Sequence, residues 1–250
     1  MSALLSVSEV TVKFGGVVAV EDVSLDIGLG ELVGVIGPNG AGKTTLMRVI
    51  TGLVKPFNGT VALDGEDITN WAVDKRVRNG LALGQQIVKP LTAFTLLENV
   101  ALASGCQRMA SPLQALIQTK RDKELAKARE FLDMVGIKSA SDAYPSEVPL
   151  GYLKCLELAR ALALEPRLIL LDEPLAGLNQ AEATEMADLI SSLVNETRSI
   201  LLIEHNLREV IRICPKLYVQ DQGRYLDFGP TAEVMANPKV RTAYLGEAKA

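Results

Sequence analysis

Residues 37–45 read G-P-N-G-A-G-K-T-T, and they restrict the rest of the chain more than any other stretch. The spacing fits G-x-x-x-x-G-K-[ST], with Gly37 and Gly42 as the glycines and Lys43-Thr44 closing the pattern. Glycines let the backbone turn with its N–H groups facing a polyphosphate, and the following helix adds the positive end of its dipole. On this reading Gly37, Pro38, Asn39, Gly40, Ala41, Gly42 and Thr45 wrap the phosphates of a nucleotide. Lys43 supplies a point charge to the β- and γ-phosphates, and the Thr44 hydroxyl ligates Mg²⁺. The competing reading is a glycine-rich turn before an ordinary helix. Context decides between them: 31–36 (E-L-V-G-V-I) is a short apolar strand, and 44–51 carries apolar Leu46, Met47, Val49 and Ile50 on a helix that Gly52 stops. Strand, loop and helix in that order are the setting that phosphate chemistry needs.

Composition removes several classes. The 250 residues are enough for one large domain or two small ones. With 48% hydrophobic residues, the chain still has no run approaching the roughly 20 apolar residues of a membrane span. No basic segment followed by an apolar stretch opens it, so no secretory leader is expected. A net charge of −4 argues against nucleic acid as the main partner. Cys106, Cys155 and Cys214 are too widely spaced for a C-x-x-C pair and read as free thiols in a reducing compartment. A cytoplasmic location is the expectation.

Residues 4–13 and 17–27 alternate apolar and polar around Gly15-Gly16, which predicts a hairpin with Phe14 at the end of its first strand. Further strands are expected at 60–63 and 81–84, the second leading to Gln85-Gln86, with a helix at 72–78 between them. From 87 to about 150 strand signals vanish. Helices are expected at 96–103 and 120–135, the latter with Leu125, Ala128, Leu132 and Val135 on one face. The α/β rhythm resumes with a helix at 153–164, a strand at 167–171 and a helix at 181–195 capped by Asn179 with Glu182. A strand at 199–203, a helix capped by Asn206 with Glu209, two short strands near 217–219 and 224–228, and a helical tail complete the chain. The expected organisation is a single domain over 1–250, with an α/β nucleotide-binding core (1–86 and 153–250) and an inserted helical subdomain (87–152).

Residues 168–173 are four apolar residues followed by Asp172 and Glu173. A buried strand ending in Asp presents its carboxylate at the sheet edge where the Mg²⁺ of a phosphate-loop enzyme sits, and Glu173 is placed to polarise the attacking water as general base. Two solvated acids at a strand end are the plainer reading. His205, the only histidine, ends the strand L-L-I-E-H, which is expected beside the Asp172 strand, and is expected to contact the γ-phosphate; a hydrogen-bonded strand-terminal histidine is the alternative.

Taken in order, these motifs resemble the ATP-binding subunits of ABC transporters over nearly the full length. The fold implied is a phosphate-loop, RecA-like α/β core with an antiparallel β subdomain and the helical insert. Its cofactors would be ATP and Mg²⁺. By that resemblance Gln86, or Gln85 one residue earlier, touches Mg²⁺ and senses a membrane permease subunit. Phe14 stacks on adenine unless it is a core aromatic, and 176–179 (A-G-L-N) crosses to a partner ATPase subunit. The catalytic set implied is Lys43, Glu173 and His205. The metal set is Thr44, Gln86 and Asp172. Phe14-Gly15-Gly16, Thr95 with Glu98-Asn99, D-E-P-L-A-G-L-N at 172–179, Glu204-His205 and A-Y-L-G-E at 243–247 resemble one branch, the importers of branched-chain and related hydrophobic amino acids, and more the larger of their two ATPase subunits. That implies a peripheral protein on the inner face of the membrane, served indirectly by a periplasmic or extracellular solute-binding protein.

One departure stands out. Where the family has L-S-G-G-Q or L-S-Y-G-Q, this chain has Val148, Pro149, Leu150, Gly151 and Tyr152. The family serine donates to the γ-phosphate on the opposite subunit; Pro149 has neither hydroxyl nor backbone N–H. Such a loss costs about 1.5–3 kcal/mol, roughly ten- to a hundred-fold. Both sites of a homodimer would be weakened, which favours a heterodimer. A soluble ABC protein of DNA repair or translation would instead show tandem halves, a long coiled coil or basic patches. A phosphate-loop kinase or GTPase would need an arginine-rich lid or N-K-x-D. A regulatory ABC subunit with weak hydrolysis is the reading that Pro149 itself raises.

Overall fold

The computed structural model describes residues 3–84, 89–105 and 122–245. Two sheets face each other. Strands β1 (Leu5–Phe14), β2 (Val17–Ile27), β4 (Asn58–Leu63) and β5 (Glu66–Asp67) make a four-stranded sheet in the order β2-β1-β4-β5, every pair antiparallel. The hairpin turns at Gly15-Gly16, as alternation predicts. The second sheet has six strands, ordered β10-β9-β3-β8-β7-β6. Its members are β3 (Leu32–Ile36), β6 (Leu81–Gly84), β7 (Leu168–Asp172), β8 (Ser199–Ile203), β9 (Lys216–Asp221) and β10 (Arg224–Pro230). All are parallel except β10, which returns beside β9.

Parallel strands covered on both faces carry nearly continuous apolar side chains, and every residue of β3 and β8 is buried. One face meets the four-stranded sheet and α1 (Lys43–Thr51) in a core that includes Val33, Val35, Leu46, Ile50, Leu170 and Ile203. The other face meets helices through Ile36, Leu156, Ile169, Ile190, Leu202 and Val210. The segment between β6 and β7 supplies α2's successors: after α2 (Val73–Arg78) come α3 (Leu96–Ser104), α4 (Asp122–Met134) and α5 (Leu150–Leu162). Ala128, Leu132 and Val135 are buried and Leu125 packs against them, as their spacing requires. After β7 follow α6 (Gln180–Ser192), α7 (Leu207–Ile213), α8 (Thr231–Ala236) and α9 (Pro238–Leu245).

Local chemistry sets the ends. Thr95 accepts from Glu98 N–H while the Glu98 carboxylate accepts from Thr95 N–H, and Asn179 with Glu182 repeats the arrangement. Asn206 also accepts from Glu209 N–H, but the Glu209 carboxylate turns to Arg212, Gln180 and Thr184 instead of closing a box. Many boundaries shift by a residue or two from the sequence expectation, and those of α5 and α6 shift most. Helix α5 starts at Leu150, not 153, because Pro149 with φ −66° is a preset N-cap whose carbonyl accepts from Tyr152 and Leu153. The division drawn at 152/153 therefore falls inside the first turn of α5. It also ends at Leu162, and α6 stops at Ser192, where Asn195 and Arg198 pair in the turn into β8.

Candidate functional site

The parallel strands end at one edge, and their order puts the loops after β3, β8 and β7 side by side. The loop after β3 is residues 37–42. Gly37 has φ 154°, and a Cβ there would stand 2.0 Å from the Gln220 carbonyl oxygen of β9. Gly42 is left-handed at φ 96°, and a Cβ would meet the Ala19 carbonyl at 2.5 Å. Only glycine fits either place. Gly42 is also the N-cap of α1 and offers no side chain to its first turn, so the helix presents free backbone donors and its positive dipole end to an anion. Pro38, Asn39, Gly40 and Ala41 form the turn between them, and Thr44 and Thr45 are half-buried on the first turn.

Lys43 is 5% exposed and donates to the Gly37 carbonyl at 2.7 Å and the Pro38 carbonyl at 3.0 Å, so the loop curls around its own lysine. Burial pushes the Lys43 ammonium below its ordinary pKa, and the nearby Glu173 and Asp172 carboxylates oppose that. Asp172 closes β7. Burial, with Glu173 alongside, raises its carboxyl above the usual range, while Arg48, His205 and Lys43 act in the other direction. One Asp172 oxygen, Oδ1, is buried without a hydrogen-bond partner among the described residues. A buried carboxylate oxygen left open beside a phosphate loop suits a hard divalent cation that takes few protein ligands and completes its shell with phosphate and water. Asp172 and Thr44 could hold such an ion; Gln86 and Gln85 lie outside the described residues, beyond the end of β6.

Glu173 follows with φ 52°, a left-handed conformation that costs about 1–3 kcal/mol for a non-glycine residue and persists only where neighbours hold it. Its N–H donates to the Ile203 carbonyl at 2.9 Å, and its own carbonyl accepts from Ala176 at 3.2 Å. This turn sends the carboxylate to His205, whose Nε2 lies 2.8 Å from Glu173 Oε1. The Glu173 side chain is 18% exposed and that of His205 43%, so the pair opens to solvent from the histidine side. Because β8 pairs directly with β7, the two residues meet although they lie 32 positions apart. The arrangement can polarise a water and steady the acceptor of its proton.

Phe14 stands at the hairpin turn of β1 and β2 and is 50% exposed, which removes the core reading and leaves its ring open to a base. The same hairpin brings Ala19 against the phosphate loop. Val148, Pro149, Leu150, Gly151 and Tyr152 lie at the start of α5, where Leu150 meets the loop after β7: Leu150 Cδ2 lies 2.9 Å from where a Cβ on Gly177 would stand, and Gly177 is left-handed at φ 83°.

Two charged residues escaped the sequence reading as site components. Glu204 accepts from Leu175 N–H and His205 N–H, and Lys154 reaches the Glu173 carbonyl. Their signal was slight: one acid ending an apolar strand, and one lysine in a helix with other charges.

The comparisons agree with this geometry. The ABC transporter family matches residues 20–176, and a second family, described as branched-chain amino acid ATP-binding cassette transporter, matches 229–250. The chain is 36% identical over 251 aligned residues to the high-affinity branched-chain amino acid transport ATP-binding protein LivG of Salmonella typhimurium, covering 98% of each. It is 33% identical to the lipopolysaccharide export system ATP-binding protein LptB of Haemophilus influenzae, covering 91% of each. Among solved structures, the ADP conformation of MJ1267, an ATP-binding cassette of an ABC transporter, superposes with a TM-score of 0.87 at 30% identity, over 99% of this chain and 100% of that one. A phosphate loop, a strand-terminal acid pair and a histidine at one sheet edge, on a cassette this similar throughout, make the chain an ATP-hydrolysing member of the ABC transporter ATP-binding family.

Proposed function

We propose that this cassette powers an importer of branched-chain or related hydrophobic amino acids, or similar small carboxylates, from the inner face of a cell membrane. The observation that carries the choice of branch is the C-terminal segment: residues 229–250 match the amino-acid transporter family, and the end of β10, α8 and α9 fall within that stretch. Similarity to LptB supports a second reading, in which the same motor serves export. Among the described residues no helix is long and apolar enough to cross a membrane, so a permease partner would supply the path.

Within the site, the phosphate loop and Lys43 bind the ATP phosphates and Phe14 covers the base. Glu173 takes the proton of the attacking water, held in place by His205. Thr44, Asp172 and Gln86 would hold Mg²⁺, which when bound would supply charge neutralisation at the phosphates. In this reading residues 1–86 and 153–250 act as the nucleotide core, and 87–152 as the helical part that meets the permease. Residues 148–152 face the ATP held by a second subunit. Pro149, an N-cap with no hydroxyl, weakens the site it completes, which favours a heterodimer with an intact partner.

Hydrolysis by the purified chain, beside Glu173→Gln and Pro149→Ser, tests the motor. Glu173→Gln should lose 10²–10⁴-fold in rate while keeping ATP affinity, and Pro149→Ser should be about ten- to a hundred-fold faster than wild type. A wild-type rate already equal to that of Pro149→Ser would remove the case for unequal sites. Uptake of radiolabelled leucine, isoleucine and valine by cells lacking this chain, complemented with wild type or Glu173→Gln, tests the solute; restoration of uptake by neither would turn the branch assignment toward export.

A further inference from the structure

Glu204 directly follows the buried residues of β8, and it is itself only 4% exposed. Burial raises its carboxyl above the ordinary range, against hydrogen bonds from the backbone of Leu175, His205 and Asn206. The geometry is a clamp. Oε1 accepts from Leu175 N–H at 2.6 Å, and Oε2 accepts from His205 N–H at 3.0 Å. Leu175 lies two residues beyond Glu173 on the loop after β7. His205 is the residue whose ring meets the Glu173 carboxylate. One buried side chain therefore ties together the two backbones that carry the Glu173–His205 pair.

A second buried ion acts on the same loop from another side. Lys154, on α5, is 6% exposed and donates to the Glu173 carbonyl at 3.4 Å. Burial disfavours its ammonium, and the carboxylates of Glu204, Glu157 and Glu173 favour it, in that order. Glu173 needs such support because its left-handed backbone would otherwise relax and swing the carboxylate away. Displacement of a reacting group by about 1 Å can cost on the order of a hundredfold in rate.

We propose that Glu204 is a positioning residue for ATP hydrolysis, joining the loop after Glu173 to the backbone of His205 so that the Glu173–His205 contact keeps its geometry, with Lys154 bracing the same loop from α5. This rests on the reading of Glu173 as the base. Glu204 acts through its neighbours and leaves nucleotide affinity to the phosphate loop. A glutamine at 204 keeps one acceptor and turns an amide N–H₂ toward a backbone N–H, so the change is small in volume and large in function.

The test is steady-state hydrolysis and equilibrium binding of a fluorescent ATP analogue by the purified chain. The variants are Glu204→Gln, Glu204→Ala, Lys154→Met, Lys154→Arg and the Lys154→Met/Glu204→Gln double, with Glu173→Gln as reference. Expected are a fall in kcat of about tenfold or more for Glu204→Gln and Lys154→Met, with KM and analogue affinity within about twofold. Lys154→Arg should recover at least half of the rate. The double variant should be no slower than the slower single one, as for residues acting as a unit. Losses that multiply in the double, or a wild-type kcat in Glu204→Gln, would overturn the proposal. So would loss of affinity and thermal stability with kcat unchanged. If Glu204→Ala does not fold, Glu204→Gln and the Lys154 pair decide. A Glu173→Gln variant as active as wild type would instead sink the reading of Glu173, and this proposal with it.

Discussion

Asp172 holds one carboxylate oxygen in a buried place with no partner among the described residues, and its carboxyl is raised by burial. For a carboxylate the sign follows directly: a folded pKa above the unfolded one makes the native state lose stability as pH rises from the ordinary aspartate range through the raised value. Asp172→Asn should then raise the thermal midpoint of the nucleotide-free protein at pH 7.5 and abolish the extra stabilisation that Mg²⁺ adds to ATP. Thermal melts with ATP and either Mg²⁺ or a chelator check both halves. The thiols behave likewise. Burial pushes Cys155 up to about 11 and Cys214 up to about 12, so thiolate is scarce at pH 8. Disulfide-exchange titration of the native chain at pH 8 should leave these two slow, and denaturant should release them. The sequence marked Lys43, Asp172 and Glu173 by their neighbours in the chain. It could not show that Lys43 rests on the carbonyls of Gly37 and Pro38, since that depends on how the loop curls.

Among the elements, α1 shows best how packing completes what local signals begin. Its start was legible from Gly42-Lys43 and its stop from Gly52. The support of its last turn was not. Arg76, fully buried, donates to the Val49 and Ile50 carbonyls at 2.7 Å each, and to those of Trp71 and Thr69. A guanidinium at a helix C-terminus meets orphan carbonyls and the negative dipole end together. Arg76→Met should cost about 3 kcal/mol of stability, read from urea denaturation, with the glycine loop otherwise unchanged. A basic residue in D-K-R-V-R looks like part of a solvated face, so its burial was not legible. Asn99 is similar: its side chain bonds the backbone of Leu91, Phe94 and Thr95, and so shapes the approach to α3. Local rules foresaw the caps at Thr95 and Asn179 because both partners lie within three residues.

For the molecule as a whole, the useful fact is that two different surfaces of one chain are organised around the loop after β7. The Glu173 carboxylate acts on Lys43 of the chain's own phosphate loop, while Leu150 packs toward Gly177, four residues further on. Under the heterodimer reading, Pro149 limits closure between copies of this chain. Sedimentation with ATP should find the Pro149→Ser/Glu173→Gln double variant dimerising about ten- to a hundred-fold more tightly than Glu173→Gln alone; equal dimerisation would count against that reading. The strand order was legible only in part. Alternation and apolar runs marked nearly every strand, and β8 was expected beside β7, yet nothing local says that β3 is its other neighbour. That order is what seats His205 beside Glu173.

By itself the sequence determined the phosphate loop, the acid pair ending an apolar strand, the helix caps and the family, because each is written within a few consecutive residues or in motifs taken in order. The tertiary structure alone decided that Glu204 clamps Leu175 across 29 positions and that Lys154 reaches Glu173 across 19. A buried charge has to find its partners in space, and spacing along the chain does not record which strand or helix brings them.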